Sequence, residues 1–550
     1  MNAMAYPDYI NGIINSGSIS SYVALGVLGF FLLNALIGLL FGFKRGFGKQ
    51  LIRLLTSVLS VALSFLAVSM ISVYITNLFA GKTLEEVILT VYPNYTAEVE
   101  ESVRNIVSSF DAETARVIIM LPISAILLPI IFVICFAVIH LLSWIIYWIL
   151  HSILGITGYK KGFLSALFGG ILGLAQGAAI GGILLIPLAG LSTVVTDAKA
   201  VVDNSALDDE VKEEFVVMYD DYAKEIVENP LFEAINTLGG DLVYSHFSTV
   251  KVGEGKEDTR DSIVAAFEIA IDVGTLESMD FEAPDKASQD KIHGIIHKIS
   301  EDECISEILS GVIRGAATAS NRGAIDVSAE EPYNSLIQSL LNAFLMTDSA
   351  TLESDLDTIV NVYFILADSG FISAIGDSES SSDDISDMLI KKDASELTVI
   401  DRVVNELKLN PHTRQVVDAL TKLSVALLCE SMGLDQDSTE LYEAVSADLK
   451  TVLVINRSDY ATEEEYKADV NKKLDEALKQ NDIVLEEEIV AEMTSYVAEN
   501  YGDKTDISDE DINDAILSYY GAYEKYLETG NAEDLPNPDE LPSTEEAPAA

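Results

Sequence analysis

Four long runs of apolar residues occupy the first third of the chain, at 22–43, 54–79, 117–150 and 163–190, and none of them contains an Asp, Glu, Lys or Arg. A helix needs about 20 such residues to cross a bilayer. Each run is therefore long enough to be a membrane span. The first run is too long for a cleavable signal peptide and has no basic segment before it, so we expect it to remain as an anchor.

The third run fits two interpretations. Its 34 residues would extend about 51 Å as a helix, whereas two spans would need about 40 residues plus a turn. Pro122 and Pro129 favour one long helix with a kink, or an interfacial segment followed by one span. The sequence thus predicts four spans, and five spans remain the alternative.

Beyond residue 192 the hydrophobic pattern is that of amphipathic helices. Residues 210–227 carry apolar side chains at helical spacing, and Asn229-Pro230 is a typical helix start. Alternation typical of a strand is confined to 243–252. The predicted fold class is therefore all-α, with a four-span helical membrane domain followed by a large, mainly helical acidic domain.

Composition divides the chain in the same way. The predicted parts are an exported segment at 1–21, the four-helix membrane domain at 22–192, an acidic helical domain at 193–525 and a disordered Pro-rich tail at 526–550. A stretch rich in Ser and Asp at 376–387 is a candidate boundary between two helical subdomains.

Acidic residues are concentrated after the apolar runs. The chain has 34 basic and 87 acidic residues, a net charge of −53. Residues 1–192 hold 9 basic and 8 acidic residues, which leaves 25 and 79 for the remainder, a net charge of −54. Nucleic acid is excluded as a partner of the acidic part, because phosphate binding needs a basic surface. Loosely bound divalent cations are expected on so many carboxylates.

The basic residues predict the orientation. Two segments between apolar runs contain basic residues and no acidic ones: Lys44, Arg45, Lys49 and Arg53 in the first, Lys160 and Lys161 in the second. Basic residues beside spans stay in the cytoplasm. We therefore predict a multi-pass protein of the cytoplasmic membrane with both termini and the acidic domain outside. Five spans would place the acidic domain inside.

Small residues recur at every fourth position in two of the runs. They are Gly38, Gly42 and Gly46 at the first run, and Ser165, Gly169, Gly173, Gly177 and Gly181 in the fourth. Such ladders let another helix approach closely. Helix packing is the simpler explanation. A pore is the alternative, because Asn34 and Gln176 are polar residues within the runs.

Motifs for catalysis are weak. His293 and His297, in the sequence HGIIH, have the spacing of two zinc ligands on a helix. Gly294 stands where a zinc protease needs its Glu, so we treat the pair only as a weak metal candidate. The chain has no G-x-S-x-G motif. We expect no enzyme and no cofactor, and an anchored outer enzyme is the least favoured alternative.

One family resemblance rests on the basic turns. GFKRGF at 42–47 closes the first run, and GYKKGFLSALFGG at 158–170 opens a glycine-rich fourth run. Residues 22–192 thereby resemble the colicin V production (CvpA) family of bacterial membrane proteins. The resemblance implies a non-enzymatic envelope accessory or scaffold linked to colicin V production and toxin biosynthesis, with the bilayer and other envelope proteins as partners. Ser20 and Ser21 stand where that family often has an acidic residue.

Overall fold

The computed structural model describes residues 18–516, apart from 80–81, 93–98, 100, 154–161, 206, 208, 254, 277–278, 324–332, 377–398, 432–437, 481–486, 505, 509–510 and 514. Several predicted features lie outside the described residues: nearly all of the segment 1–21, Lys160, Lys161, most of the candidate boundary at 376–387 and the tail at 526–550.

The chain forms two compact units. One contains residues 1–278 and 297–312, and the other contains 279–296 and 313–550. The helices up to the first unit's hairpin are α1 (Ile19–Arg45), α2 (Phe47–Phe79), α3 (Leu84–Val91), α4 (Glu101–Ser108), α5 (Ala112–Pro122), α6 (Leu128–Ile153), α7 (Phe163–Asn204), α8 (Asp209–Tyr222), α9 (Lys224–Val227), α10 (Pro230–Ile235) and α11 (Asp241–Phe247). A hairpin of β1 (Thr249–Val252) and β2 (Gly255–Asp258) precedes α12 (Thr259–Gly274).

Among the described residues, four helices are long and apolar enough to cross a membrane, as the hydrophobic pattern predicted. They are Ile19–Arg45, Phe47–Phe79, Ala112–Ile149 and Phe163–Asn204. Leucines at positions 32, 36 and 40 of α1 are more than half exposed and form one apolar face. In a bilayer such a face contacts lipid, which explains why it is apolar without protein cover. The described chain is thus almost wholly helical, and it fits a multi-pass membrane protein.

The third apolar run is one continuous helix with an irregular turn. A π-helical turn at Ile123–Leu127 joins α5 to α6, directly after Pro122. Proline has no N–H and disturbs the preceding helical turn, so a local change of hydrogen-bond spacing is expected there. The four-span interpretation therefore agrees with the helices, and the irregularity falls between the two prolines.

Two helix boundaries differ from the sequence prediction. A single residue, Gly46 with a φ of 78°, separates α1 from α2. This left-handed conformation favours glycine and interrupts the helix at Gly46. Helix α2 therefore begins at Phe47, and Arg53 lies within that helix and not in a connecting turn. At the other end of the bundle, α7 continues past the predicted boundary at 192/193 to Asn204.

Short helices after α7 pack against the bundle in a shared hydrophobic core. Leu231, Phe232 and Ile235 of α10 and Phe247 of α11 are buried in the same cluster as residues of α1, α2, α6 and α7. The Phe247 ring lies 5.1 Å from both Phe65 and Phe132, measured between ring centroids. Residues that the sequence assigned to a separate acidic domain therefore share a core with the apolar helices.

Tyr244 connects this core to the irregular turn. Its hydroxyl donates to the Ala125 carbonyl at 2.5 Å, and the side chain is 1% exposed. In a regular α-helix that carbonyl would accept from residue 129, but Pro129 has no N–H. A Cβ on Gly190 would approach the Tyr244 ring to 2.2 Å. Glycine at position 190 therefore makes room for the ring that reaches Ala125.

The predicted strand at 243–252 is only half correct. Residues up to Phe247 belong to α11, and β1 begins at Thr249 and pairs antiparallel with β2, with Thr249 opposite Asp258. Val250 and Val252 are buried with Val117 and Cys304. Their alternation with exposed positions produced the strand signal.

The described part of the second unit consists of helices around two hydrophobic cores. Its described helices, together with the two that cross between the units, are α13 (Lys286–Glu301), α14 (Glu303–Asn321), α15 (Tyr333–Met346), α16 (Leu352–Asp368), α17 (Phe371–Gly376), α18 (Val399–Leu409), α19 (Arg414–Ser431), α20 (Ser438–Leu453), α21 (Glu463–Gln480) and α22 (Glu487–Tyr501). Buried Asp355 joins α16 to the turn before α19: it accepts from Asn410 Nδ2 at 2.7 Å and lies 3.0 Å from His412 Nδ1.

Replacing Tyr244 by Phe should destabilise the first unit. The substitution keeps the ring but removes the donor to the Ala125 carbonyl, and an unsatisfied buried carbonyl costs about 1–3 kcal/mol. We expect a lower midpoint of thermal unfolding for the detergent-solubilised protein, followed by circular dichroism. Tyr222→Phe, at a tyrosine that is 59% exposed, is the control. Equal midpoints for the two variants would contradict a role for this hydrogen bond.

Candidate functional site in the helical bundle

The two small-residue ladders pack directly against each other. A Cβ on Gly38 would lie 2.1 Å from the Gly173 carbonyl oxygen, and one on Gly42 would lie 2.1 Å from the Gly169 oxygen. A Cβ on Gly177 would lie 2.3 Å from the Asn34 oxygen. Rising numbers in α1 match falling numbers in α7, so the helices are antiparallel. Backbone contacts backbone along this interface, which we call the glycine interface.

Both ends of the glycine interface are also defined. Ser165, the first member of the α7 ladder, accepts from the Phe47 N–H at 3.3 Å, where α2 begins. Gly169 lies against Gly46, where an added Cβ would come within 2.7 Å of the Gly46 Cα. At the far end, a Cβ on Gly181 would approach the Phe31 ring to 3.2 Å. The close contact therefore covers the ladder from position 165 to position 181.

A group of polar side chains lies beside the glycine interface, between α2 and α7. Gln50 donates to Gln176 Oε1, and Gln176 Nε2 donates to Ser57 Oγ at 2.6 Å and to the Arg53 carbonyl at 3.2 Å. Gln50 is 1% exposed and Gln176 is 6% exposed. In apolar surroundings each of these bonds replaces water. We call Gln50, Arg53, Ser57, Gln176 and His140 the polar cluster.

Arg53 and His140 extend the polar cluster towards α6. The Arg53 guanidinium lies over the Tyr147 ring at 5.0 Å and over the Trp144 ring at 5.8 Å, measured to the ring centroids. Such cation–π contacts hold a cation where carboxylates are absent. His140 stacks on Phe136, with ring centroids 5.5 Å apart. One helical turn along α6, the Ser143 hydroxyl lies 3.3 Å from that of Ser60 on α2.

Three atoms of the polar cluster are buried without a hydrogen-bond partner: Gln50 Oε1, Arg53 Nε and His140 Nδ1. An unpaired buried polar atom costs free energy, and native proteins contain few of them. Their concentration in one part of the bundle identifies the polar cluster as the chemically distinctive region of these helices. It offers hydrogen-bonding capacity beyond what the helices themselves use.

The remaining predicted site residues are dispersed. His293 Nδ1 lies 2.7 Å from Asp357, and His297 Nε2 lies 3.4 Å from Glu301, so the two histidines face different carboxylates. Over the described ranges of the chain, no group of three or more His, Cys, Asp or Glu side chains is placed to hold a metal ion. Asn34 donates to the Phe30 carbonyl of its own helix at 2.9 Å, whereas the Gln176 amide bonds to side chains of α2.

Sequence reasoning missed three members of the polar cluster. Arg53 was counted only as a basic flank, and His140 and Gln50 were not considered. A signal was available: Gln50, Arg53 and Ser57 recur at three- and four-residue spacing, so they share one face of α2. Lys44 and Arg45 occupy the last turn of α1, and Lys49 lies in the first turn of α2.

Alanine at position 173 should destabilise the bundle, whereas alanine at position 29 should not. A Cβ at Gly173 would lie 2.2 Å from the Gly38 carbonyl oxygen, and Gly29 has open space around it. Overpacking of this kind costs about 1–3 kcal/mol, while Gly→Ala on an open helix face is neutral or favourable. Thermal unfolding in detergent measures both variants. Equal stability of the two would contradict the glycine interface.

No family model, curated protein or solved structure matches the chain. The resemblance of residues 22–192 to the colicin V production family therefore remains a prediction from the sequence. Over the residues that the structure describes, the chain is mainly helical, and four of its helices are long and apolar enough to cross a membrane.

Proposed function

We propose that the protein is a non-enzymatic membrane scaffold, in which the four-helix bundle anchors a large acidic, mainly helical region. One observation carries this proposal: the glycine interface is closed along its length, with backbone against backbone between α1 and α7. Two helices in such contact cannot slide or separate without losing the dispersion contacts that replace a hydrophobic driving force in lipid. A bundle of this kind suits anchoring better than gating.

The proposed location is the bacterial cytoplasmic membrane, with the acidic region outside. The basis is the bias of basic residues. Lys44, Arg45 and Lys49 lie where α1 meets α2, and this junction consists of a single glycine. A turn so short and so basic is best kept on the cytoplasmic side. Envelope proteins are the proposed partners, and a link to colicin V production rests on the family resemblance alone.

The orientation can be tested with reporter fusions. We expect alkaline phosphatase fused after Ala550 to be active, because that enzyme needs export to form its disulfides. A green fluorescent protein fused at the same position should be dark after export through the general secretion pathway. The same pair fused to a chain truncated after Gly158 should give the opposite result. Reversed signals at Ala550 would contradict the outward placement of the acidic region.

A transport component is the second candidate, and the polar cluster favours it. Three buried polar atoms without partners lie among helices that also share an apolar core. In transport proteins, polar side chains inside spans mark the path of a solute. Gln176 would be central to such a path, because it joins α7 to Gln50, Arg53 and Ser57 of α2.

Flux measurements separate the two candidates. If the polar cluster lines a path, Gln176→Leu should abolish the passage of small polyols or ions into proteoliposomes, at unchanged amounts of folded protein. Ser69→Leu should leave passage intact, because Ser69 is exposed and donates to the Phe65 carbonyl of its own helix. Light scattering after an osmotic step measures polyol entry. A wild-type protein that passes none of these solutes would remove the transport candidate and leave the scaffold.

A further inference from the structure

A cavity of about 630 Å³ lies in the first unit, beyond the apolar part of α7. Its walls come from the last turns of α7 together with α8, α9, α10 and the π-helical turn at Asn236–Gly240. The volume is within the range of small-molecule sites. This polar pocket, as we call it, contains no residue of the polar cluster and none that the sequence had singled out as a site.

Asn229 supplies a fixed donor. Its side-chain Oδ1 accepts from the Leu231 N–H at 3.0 Å and thereby caps α10. This bond determines which amide atom is which, so the Nδ2 group must point the other way. Asn229 is 1% exposed, lines the polar pocket, and its Nδ2 has no hydrogen-bond partner.

Asn236 supplies the complementary acceptor. Its Nδ2 donates to the Ala189 carbonyl on α7 at 3.2 Å, which again fixes the orientation of the amide. The opposite atom, Oδ1, is buried and has no partner. The polar pocket therefore has one unpaired donor and one unpaired acceptor among its lining side chains. Both amides are oriented by backbone groups, so neither can turn to satisfy itself.

The hydroxyls on the α7 wall act as acceptors. Ser192 donates its proton to the Ala189 carbonyl at 2.7 Å, Thr193 donates to that of Gly190 at 2.6 Å, and Thr196 donates to that of Ser192 at 2.8 Å. A hydroxyl that gives its proton to the helix backbone keeps its oxygen lone pairs for another donor. This wall thus favours a molecule that brings several hydrogen-bond donors.

The charged side chains that line the polar pocket limit the class of molecule that it can bind. The lining includes three carboxylates, those of Asp203, Glu228 and Glu233, and one ammonium, that of Lys199. Lys199 pairs with Asp203 and lies 5.4 Å from the Tyr219 ring centroid. Burial, with Glu228, raises the pKa of Tyr219 to about 12, so its hydroxyl remains a donor at neutral pH. An anionic molecule would be repelled, and a neutral or cationic one would not.

We propose that the polar pocket binds a sugar-sized polyol, either neutral or carrying an amine. Hydroxyl groups both donate and accept, so one molecule can bond the hydroxyls of α7 and, as the side chains around them shift, the buried Asn229 Nδ2 and Asn236 Oδ1. An amine adds attraction to Glu228 and Glu233. This proposal does not depend on which side of the membrane the pocket faces, or on whether the protein acts as a scaffold.

The test measures binding of three sugars to the full chain in nanodiscs of zwitterionic lipid, which avoids detergents with sugar head groups. Glucose, glucosamine and glucuronate differ mainly in charge. By saturation-transfer NMR or calorimetry, we expect glucose and glucosamine to bind, with glucosamine tighter. Glucuronate should bind at least tenfold more weakly than glucose. Absence of binding by glucose and glucosamine, or glucuronate binding as tightly as glucose, would overturn the proposal.

Two matched pairs of variants assign the binding to the polar pocket. Asn229→Asp keeps the helix cap but replaces the Nδ2 donor by an acceptor. Thr196→Val replaces the hydroxyl by a methyl group of about the same size. Each of these two substitutions should weaken the binding of glucose about tenfold. The controls lie outside the pocket: in Asn456→Asp the side chain also accepts from the N–H two residues later, and in Thr90→Val the lost hydroxyl also donates to the carbonyl four residues earlier. Unchanged affinity in both pocket variants would overturn the assignment, whatever the wild type binds.

Discussion

The absence of side chains between two helices determines the architecture of the bundle. Where α1 meets α7, the carbonyl oxygens of one helix occupy the space that a Cβ would fill on the other. Lipid tails are as apolar as leucine, so burial alone does not bring helices together in a membrane. Close backbone approach gives many dispersion contacts per turn. The antiparallel pair is the element against which α2 and the later helices are positioned.

A second constraint concerns backbone groups released by proline. Pro129 cannot donate to Ala125, and the carbonyl is satisfied from a residue more than a hundred positions later in the chain, Tyr244. This arrangement requires the ring to pass close to α7, and Gly190 provides the room. An irregularity in one apolar helix, a glycine in another and a tyrosine in a short helix after the bundle thus depend on each other. The link explains why the first unit extends beyond the apolar runs.

Much of the fold could be predicted from the sequence, and the reasons are physical. Each apolar helix satisfies its own backbone hydrogen bonds, so length and hydropathy identified all four without knowledge of their neighbours. The ladders predicted close approach, but spacing alone does not specify a partner, and the pairing of α1 with α7 came only from the structure. Arg53 was missed because the second run was taken to start after the last basic residue, whereas α2 begins at Phe47.

The polar pocket could not be predicted from the sequence, and the reason differs from that for Arg53. Its residues lie between 192 and 237, and the predicted domain boundary at 192/193 falls at its first residue. Within that range each side chain has an ordinary explanation: Asn229 as a helix cap, the threonines as helical residues that bond their own backbone. Only the three-dimensional arrangement shows that Asn229 and Asn236, each with an unused buried atom, line one cavity.

The unbroken course of α7 has a geometric consequence for how this chain can vary. The same helix presents Gly181 to α1 and, three turns later, Ser192 and Thr196 to the polar pocket. Successive residues of an α-helix are rotated by about 100° around its axis. One residue inserted or removed between 182 and 191 would therefore turn the pocket wall by about 100° away from α10 while the glycine face stayed in place. The length of this ten-residue stretch sets the angle between the two surfaces.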